Sequence, residues 1–300
     1  IKTDCLKTDD VKTDNMKNDN KKTDCTNTDY MKAEYKILAL DIDGTLTTSD
    51  KVMTPETVSA VIALQKKGIN VVIASGRSEY GFRHIAEELE FGTYGSYVMS
   101  FNGGRIINYA TGEIVYDNPL ALSYLEEIYD IACKYNLGII GYEDGCLVSG
   151  NGIDKYQEYD AWACKMELKE VKNFPEYFHK PFNKCLLTGE PDRLGNALPA
   201  IKEQLKDRLN VFMSEEFFIE VLPYGVHKAV ALERLAHSLK CTREDIVCCG
   251  DGMNDLTMIE YAGLGVAMGN ACAGVKERAD YITASNDDNG VLKVIEKFFS

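Results

Sequence analysis

The sequence predicts an α/β fold: a doubly wound parallel-sheet (Rossmann-like) core, an inserted α+β domain and a disordered N-terminal tail. Two stretches, one beginning near residue 35 and one near residue 246, alternate short β-branched runs with amphipathic segments. Strand–helix–strand units of this kind have parallel strands and right-handed crossovers. We therefore assign residues 31–117 and 217–300 to one core, residues 118–216 to the insertion and residues 1–30 to the tail.

The tail repeats every five residues, as in Lys2-Thr3-Asp4 and Lys7-Thr8-Asp9. This period fits neither a helix nor a strand. The first aromatic residue is Tyr30, so the segment offers little apolar surface to offset the entropy cost of ordering it. We expect a disordered extension before a natural start at Met31; the alternative is a repetitive ligand for a partner.

The first unit of the core begins with an apolar run over residues 35–40, which predicts a strand that ends at Asp41. Pro55 directly after Thr54 predicts a helix with Thr54 as its N-cap. A β-branched run over residues 69–74 predicts the next parallel strand. The three elements together form one βαβ unit.

The C-terminal part repeats this pattern. We predict strands over residues 246–249 and 265–268, and helices over residues 254–262 and 291–299. The insertion has strand-like runs over residues 137–142, 183–189 and 210–214. Because helical segments separate these runs, the insertion is typical of a smaller α+β domain.

The composition excludes several classes of function. The formal net charge of −14 argues against a basic surface for nucleic acid. No apolar run approaches the roughly 20 residues of a membrane span, and the N-terminal segment lacks the apolar centre of a signal peptide. Ten cysteines are scattered without a C-x-x-C pair, which indicates reduced thiols. We predict a cytoplasmic protein that binds neither nucleic acid nor membrane; the sequence leaves its oligomeric state open.

Acidic, hydroxyl and amide side chains gather at the carboxyl ends of three predicted strands, where open α/β sheets bind ligands. They are Asp41, Asp43, Ser75, Asp251, Asn254 and Asp255. Carboxylates in one crevice repel each other unless a cation lies among them. An all-oxygen ligand set selects a hard cation, and Mg²⁺ is the usual partner of a few carboxylates and a phosphate. Gly44 and Gly76 suit the close approach of backbone N–H groups to an anion.

Lys228 is the first residue of a predicted amphipathic helix. A cation in the first helical turn opposes the helix dipole at a cost of about 0.3 kcal/mol. The position is explained if the Lys228 ammonium faces an anion, and equally if it is an exposed side chain that tolerates the cost. Its position alone leaves both interpretations open.

The chain resembles the haloacid dehalogenase-like hydrolase superfamily in four motifs that occur in the family's order. They are Asp41-x-Asp43-Gly44-Thr45-Leu46, the strand-end Ser75, Lys228 and Gly250-Asp251-x-x-Asn254-Asp255. The insertion between the Ser and Lys motifs is similar to the large α/β cap of the Cof-type phosphatase subgroup. The resemblance covers about residues 34–300; Gly104 stands where the family usually has Ala.

The resemblance implies a Mg²⁺-dependent phosphatase that hydrolyses a small phosphate ester, a sugar phosphate or a phosphorylated cofactor, through an aspartyl-phosphate intermediate. Asp41 would be the nucleophile and Asp43 the general acid and base. The implied substrate-binding residues are Ser75, Gly76, Asn102, Lys228 and Asn254, of which Ser75 and Lys228 also belong to the catalytic set. The implied metal residues are Asp41, Asp43 through its backbone carbonyl, Asp251 and Asp255.

Two other functions stay open at this point. One is a phosphomutase, in which the phosphoryl group passes to a second substrate hydroxyl instead of water. The other is a regulator that binds a phosphorylated ligand without catalysis, although the presence of both Asp41 and Asp43 argues against it.

Several side chains also have a structural interpretation. Asn102 beside two glycines is typical of a turn, and Arg77 favours a salt bridge at the domain junction. Tyr156, Tyr159 and Trp162 recur at helical spacing, which favours packing inside the cap over a place in the substrate wall.

Overall fold

The structure, a computed structural model, describes residues 34–143 and 145–300. The predicted tail over residues 1–30 lies outside the described residues. The described residues form one compact unit that contains two β-sheets. The predicted fold class, an α/β core with a parallel sheet and an inserted α+β portion, is confirmed.

The larger sheet has eight strands. Across the sheet they are β14 (Tyr281–Ile282), β13 (Leu264–Ala267), β12 (Ile246–Gly250), β1 (Ile37–Leu40), β2 (Asn70–Ala74), β3 (Tyr97–Ser100), β4 (Arg105–Asn108) and β5 (Ile114–Asp117). The strands from β14 to β3 are parallel, and β4 and β5 add an antiparallel hairpin at one edge. Since β1 lies between β2 and β12, the residues that follow these three strands meet at one edge.

The helices of this part are α1 (Pro55–Lys66), α2 (Arg83–Glu88), α3 (Phe91–Tyr94), α8 (Lys228–Ser238), α9 (Leu256–Tyr261), α10 (Ala273–Arg278) and α11 (Gly290–Phe298). Most of them lie between its strands in the chain, whereas α8 leads from the inserted part into β12 and α11 follows the last strand. Helix α1 begins as predicted: the Thr54 hydroxyl accepts a hydrogen bond from the Thr57 backbone N–H at 3.3 Å, a cap that stabilises a helix by about 1 kcal/mol.

Helix α9 begins at Leu256, two residues later than predicted. The Asp255 carboxylate accepts hydrogen bonds from the backbone N–H groups of Asp251 and Gly252, each at 3.0 Å. These contacts hold the preceding residues in a tight loop, so the helix starts only after Asp255.

The smaller sheet has six strands, with α4 (Leu125–Lys134), α5 (Lys155–Cys164), α6 (Phe174–Tyr177) and α7 (Pro191–Leu205) in the same part of the chain. Across the sheet the strands are β10 (Leu209–Glu215), β11 (Phe218–Pro223), β9 (Cys185–Thr188), β6 (Gly138–Glu143), β7 (Cys146–Ser149) and β8 (Glu167–Glu170). We call this part the cap. Strand β11 lies beyond residue 216, where we predicted the insertion to end; the domain boundaries stay a prediction.

Each sheet has its own apolar core. In the larger sheet, Ile37 and Val72 pack with Leu232 and Leu235 of α8; in the cap, Ile139 and other strand residues pack with α4 and α7. No helix within residues 34–143 and 145–300 is long and apolar enough to cross a bilayer. The eight cysteines in the same residues form no disulfide with one another.

Candidate active site

Asp41 follows the central strand β1 and is almost fully buried. Its Oδ1 atom lies 2.7 Å from the Nζ atom of Lys228, the first residue of α8. Lys228 is completely buried, and its Nζ also lies 2.5 Å from Oδ1 of Asp255. The ammonium at the start of this helix therefore faces two carboxylates, which decides between the two interpretations of its position.

Asp255 ties this cluster to the loop after β12. Its Oδ1 atom accepts a hydrogen bond from Lys228, and its Oδ2 atom accepts hydrogen bonds from the backbone N–H groups of Asp251 and Gly252. Thr45 donates its hydroxyl hydrogen to Asp251 Oδ1 at 3.2 Å. The first and last predicted motifs are thus joined by a direct hydrogen bond and, through Lys228, by two ion pairs.

Gly44 is required at its position for two reasons. Its φ of +78° lies in the left-handed region, and a Cβ atom there would collide with the Asp251 carboxylate. The glycine of the first motif therefore lets the last motif approach the loop after β1.

Asp41, Asp251 and Asp255 each place a carboxylate oxygen within 4.8 Å of the others. Burial, with the negative charge of Asp255, raises the pKa of Asp41 well above its ordinary value, although Lys228 opposes this shift. Burial and Asp255 likewise raise the pKa of Asp251 to about 6. Three acids share one buried ammonium here, so the group has excess negative charge and oxygen ligands only, which fits a hard divalent cation.

The Asp43 side chain points to a different pair of partners. Its carboxylate lies 2.8 Å from Lys51 Nζ and 2.9 Å from Arg77 Nη2. Arg77 also donates to the carbonyl oxygen of Ala163 in the cap, at 3.1 Å. The predicted salt bridge of Arg77 is therefore present, and it joins the first motif to the cap.

The predicted phosphate-binding residues lie on neighbouring loops. Ser75 and Gly76 follow β2, Asn102 follows β3, and Asn254 lies in the loop after β12. Asn254 Nδ2 donates to Asn102 Oδ1 at 3.2 Å, while Asn102 Nδ2 donates to Glu220 of the cap at 2.8 Å. Both ends of the Asn102 amide are thus engaged with protein partners, and its substrate contact stays a prediction.

A cleft with a volume of about 1030 Å³ lies between this edge and the cap. The core side includes Asp41, Asp43, Ser75, Gly76 and Asn254, and the cap side includes Tyr159, Trp162, Lys184, Glu215 and Glu220. Trp162 is 70% exposed and lines the cleft, so the prediction that it packs inside the cap is wrong. Tyr159 is 43% exposed and also lines the cleft, but its ring packs edge-on against Phe217 at a centroid distance of 5.6 Å. Tyr156 packs as predicted, stacked on Phe217 at a centroid distance of 5.0 Å.

Sequence reasoning did not single out Lys51, Lys184 or Glu220, all of which line the cleft. The signal for Glu220 is a carboxylate inside the apolar strand Phe218–Pro223, and for Lys184 an ammonium directly before the apolar strand Cys185–Thr188. Charges rarely lie in buried strands without a partner, so each position indicates a buried contact. Lys51 lies in a polar loop and carries no such signal.

The sequence model of a family described as haloacid dehalogenase-like hydrolase matches residues 38–295. 5-amino-6-(5-phospho-D-ribitylamino)uracil phosphatase YcsE of Bacillus subtilis is 31% identical over 264 residues, which cover 87% of this chain and 95% of that protein. Phosphatase YwpJ of Bacillus subtilis is 30% identical over 288 residues, covering 87% and 99%. A solved haloacid dehalogenase-like hydrolase from Bacteroides thetaiotaomicron is 40% identical with a TM-score of 0.84, covering 88% and 100%.

The fold is an α/β core with an acidic cluster at the end of its central strand and a cap across the cleft. The chain belongs to the haloacid dehalogenase-like hydrolase family. The predicted superfamily, the Cof-type subgroup and the assignment as a phosphatase are confirmed.

Proposed function

We propose that this protein is a Mg²⁺-dependent phosphomonoesterase that hydrolyses a small phosphorylated metabolite through an aspartyl-phosphate on Asp41. The observation that carries the proposal is the position of Asp41. It lies at the floor of the cleft, 2.7 Å from a buried ammonium and beside two further carboxylates. A carboxylate in such surroundings can attack phosphorus while the adjacent positive charge offsets the charge of the phosphoryl group.

In the first half-reaction, an Asp41 carboxylate oxygen forms a bond to phosphorus and the bond from phosphorus to the ester oxygen breaks. Oδ1 of Asp41 is held by Lys228, and Oδ2 accepts no hydrogen bond from the described residues, so Oδ2 is the attacking atom. Asp43, two residues further on, gives its proton to the leaving alcohol.

In the second half-reaction, a water molecule attacks the phosphorus of the aspartyl-phosphate. Asp43, now ionised, takes the proton from that water. The bond between phosphorus and the Asp41 oxygen breaks, which releases inorganic phosphate and restores both carboxyl groups to their starting states.

Ser75, Gly76 and Asn254 surround the place of the phosphoryl group at the core side of the cleft. Lys228 has three N–H donors, of which two are engaged by Asp41 and Asp255, so one is left for a phosphoryl oxygen. These groups bind and orient the ester for in-line attack.

The metal residues would be Asp41, Asp251 and the backbone carbonyl of Asp43, with Asp255 fixing Lys228 and the loop. When bound, Mg²⁺ supplies positive charge that keeps Asp41 ionised and neutralises phosphoryl oxygens. Burial, and after it the charge of Asp255, raises the pKa of both Asp41 and Asp251. This supports the proposal, because a bound cation would stabilise the ionised form of both buried carboxylates.

The experiment is a panel of phosphate esters assayed with Mg²⁺: hexose phosphates, nucleotides, flavin mononucleotide, pyridoxal phosphate and 5-amino-6-(5-phospho-D-ribitylamino)uracil. The last is included because the name of a 31% identical relative gives it as a substrate. We expect release of inorganic phosphate from at least one small ester. A bisphosphate formed during turnover would instead indicate a phosphomutase, and no reaction with any ester would contradict the proposal.

A further inference from the structure

A buried ion pair of the cap reaches the phosphate-binding edge of the core. Lys184 Nζ lies 3.3 Å from Glu220 Oε1, and each side chain is only 5% exposed. Lys184 directly precedes β9 and Glu220 lies in β11, so both belong to the cap. In addition to this ion pair, each of the two side chains forms a hydrogen bond with a residue of the core.

Lys184 Nζ donates to the backbone carbonyl of Gly76 at 2.9 Å, and Glu220 Oε2 accepts from Asn102 Nδ2 at 2.8 Å. The ammonium also lies 5.3 Å from the centre of the Tyr142 ring, within range of a cation–π contact. The pair therefore holds the loop after β2 through one partner and the loop after β3 through the other.

The two loops are connected to each other and to a third. The Asn102 backbone N–H donates to the Ser75 carbonyl at 2.9 Å, and Asn102 Oδ1 accepts from Asn254 at 3.2 Å. Asn102 also has a φ of +54°, in the left-handed region, which Asn adopts more readily than most residues. Because these hydrogen bonds form one network, a displacement of either charged side chain should also shift Ser75, Gly76 and Asn254.

We propose that Lys184 and Glu220 are positioning residues that align the phosphate-binding loops with the cap. This inference rests on the proposed function, because it assumes that these loops bind the phosphoryl group. The ion pair itself is a weak source of stability, since a buried pair gains little over apolar side chains of similar size. The pair instead orients its neighbours: the Lys184 ammonium holds the Gly76 carbonyl by a hydrogen bond, and the Glu220 carboxylate holds the Asn102 amide.

The test uses the double variant Lys184→Met/Glu220→Gln. It removes both charges at once, which avoids an unpaired buried charge, and it leaves an oxygen at position 220 for Asn102. The readout is the dissociation constant of inorganic phosphate, measured by calorimetry on the full chain with Mg²⁺ present. We expect it to rise about ten-fold, with a similar fall in kcat/KM, while the increase of melting temperature on adding Mg²⁺ is unchanged.

Arg208→Met/Glu127→Gln is the matched control, because it removes an ion pair of 2.7 Å from the exposed surface of the cap. We expect no change in phosphate binding. If the first double variant does not fold, Lys184→Arg decides, because it keeps the charge but its larger guanidinium displaces the contact with Gly76.

Phosphate binding equal to that of the unmodified chain, in whichever of these Lys184 variants folds, would overturn the proposal. So would an unmodified chain that binds no inorganic phosphate. If the unmodified chain binds phosphate but hydrolyses no ester, the proposed function is contradicted. The positioning role of Lys184 and Glu220 is then decided by the phosphate dissociation constants alone.

Discussion

Arg77 connects Asp43, the proposed proton-transfer residue, to the cap. Its Nη2 atom lies 2.9 Å from the Asp43 carboxylate, and its Nη1 atom donates a hydrogen bond to the Ala163 carbonyl near the end of α5. The orientation of Asp43 is therefore fixed partly by a residue that the cap holds in place.

Arg77→Met should lower kcat by about ten- to hundred-fold and change KM little, because a misplaced acid slows proton transfer more than it weakens binding. Steady-state kinetics with one ester measure both constants. Arg278→Met, which removes an exposed pair with Glu260, is the control and should match the unmodified enzyme. A large rise in KM with unchanged kcat would show that Arg77 binds substrate instead.

Substitutions of the two acids of the first motif should block different steps of the reaction. Asp41→Asn removes the nucleophile, so neither phosphoenzyme nor product should form. Asp43→Asn keeps the nucleophile but lacks the base for water, which lowers turnover by about 10²–10⁴. With p-nitrophenyl phosphate, whose leaving group needs no proton, Asp43→Asn should accumulate a phosphoenzyme that is about 80 Da heavier. Mass spectrometry after acid quenching measures it, and the same adduct on Asp41→Asn would contradict the assignment.

Binding of Mg²⁺ should strengthen as the pH rises through 6. The pKa of Asp251 is raised by burial and by Asp255 to about 6, above its unfolded value of 3.8. The metal-free protein therefore favours the protonated acid and loses stability as the pH rises from the unfolded to the folded pKa. Because Mg²⁺ needs the ionised carboxylates, it should raise the melting temperature more at about pH 7.5 than at about pH 5.

Asp251→Asn is the control for this measurement and should show a small increase of melting temperature at both pH values. An equal effect of Mg²⁺ on the unmodified protein at both pH values would contradict the assignment of Asp251 as a ligand.

Replacing Mg²⁺ by Ca²⁺ should inhibit the enzyme. Ca²⁺ takes more oxygen ligands at longer distances, which disturbs the in-line geometry that Asp41 needs. Chelation should abolish phosphate release and added Mg²⁺ should restore it. Full activity in excess chelator would show that the acidic cluster does not work through a metal.

The sequence predicted the parts of this protein that depend on local pattern and strand order. Strand-length apolar runs and the N-cap at Thr54 located most core elements, and the carboxyl ends of parallel strands brought Asp41 and Asp251 together. The contacts of Lys184 and Glu220 were not predictable in this way, because they depend on how the cap sheet lies against the core. The same holds for Trp162, whose helical spacing with Tyr159 does not reveal which face of α5 borders the cleft.

The exposed position of Trp162 gives the protein an optical reporter. It is the only tryptophan in the sequence, and it lines the cap side of the cleft. The intrinsic emission therefore comes from one indole ring on the cap side of the cleft, where we expect the leaving group to lie. A phosphate ester that fills the cleft should shift or quench this emission, whereas inorganic phosphate, which reaches only the core side, should change it little. Stopped-flow fluorescence on the unlabelled Asp41→Asn variant would then follow substrate binding without turnover.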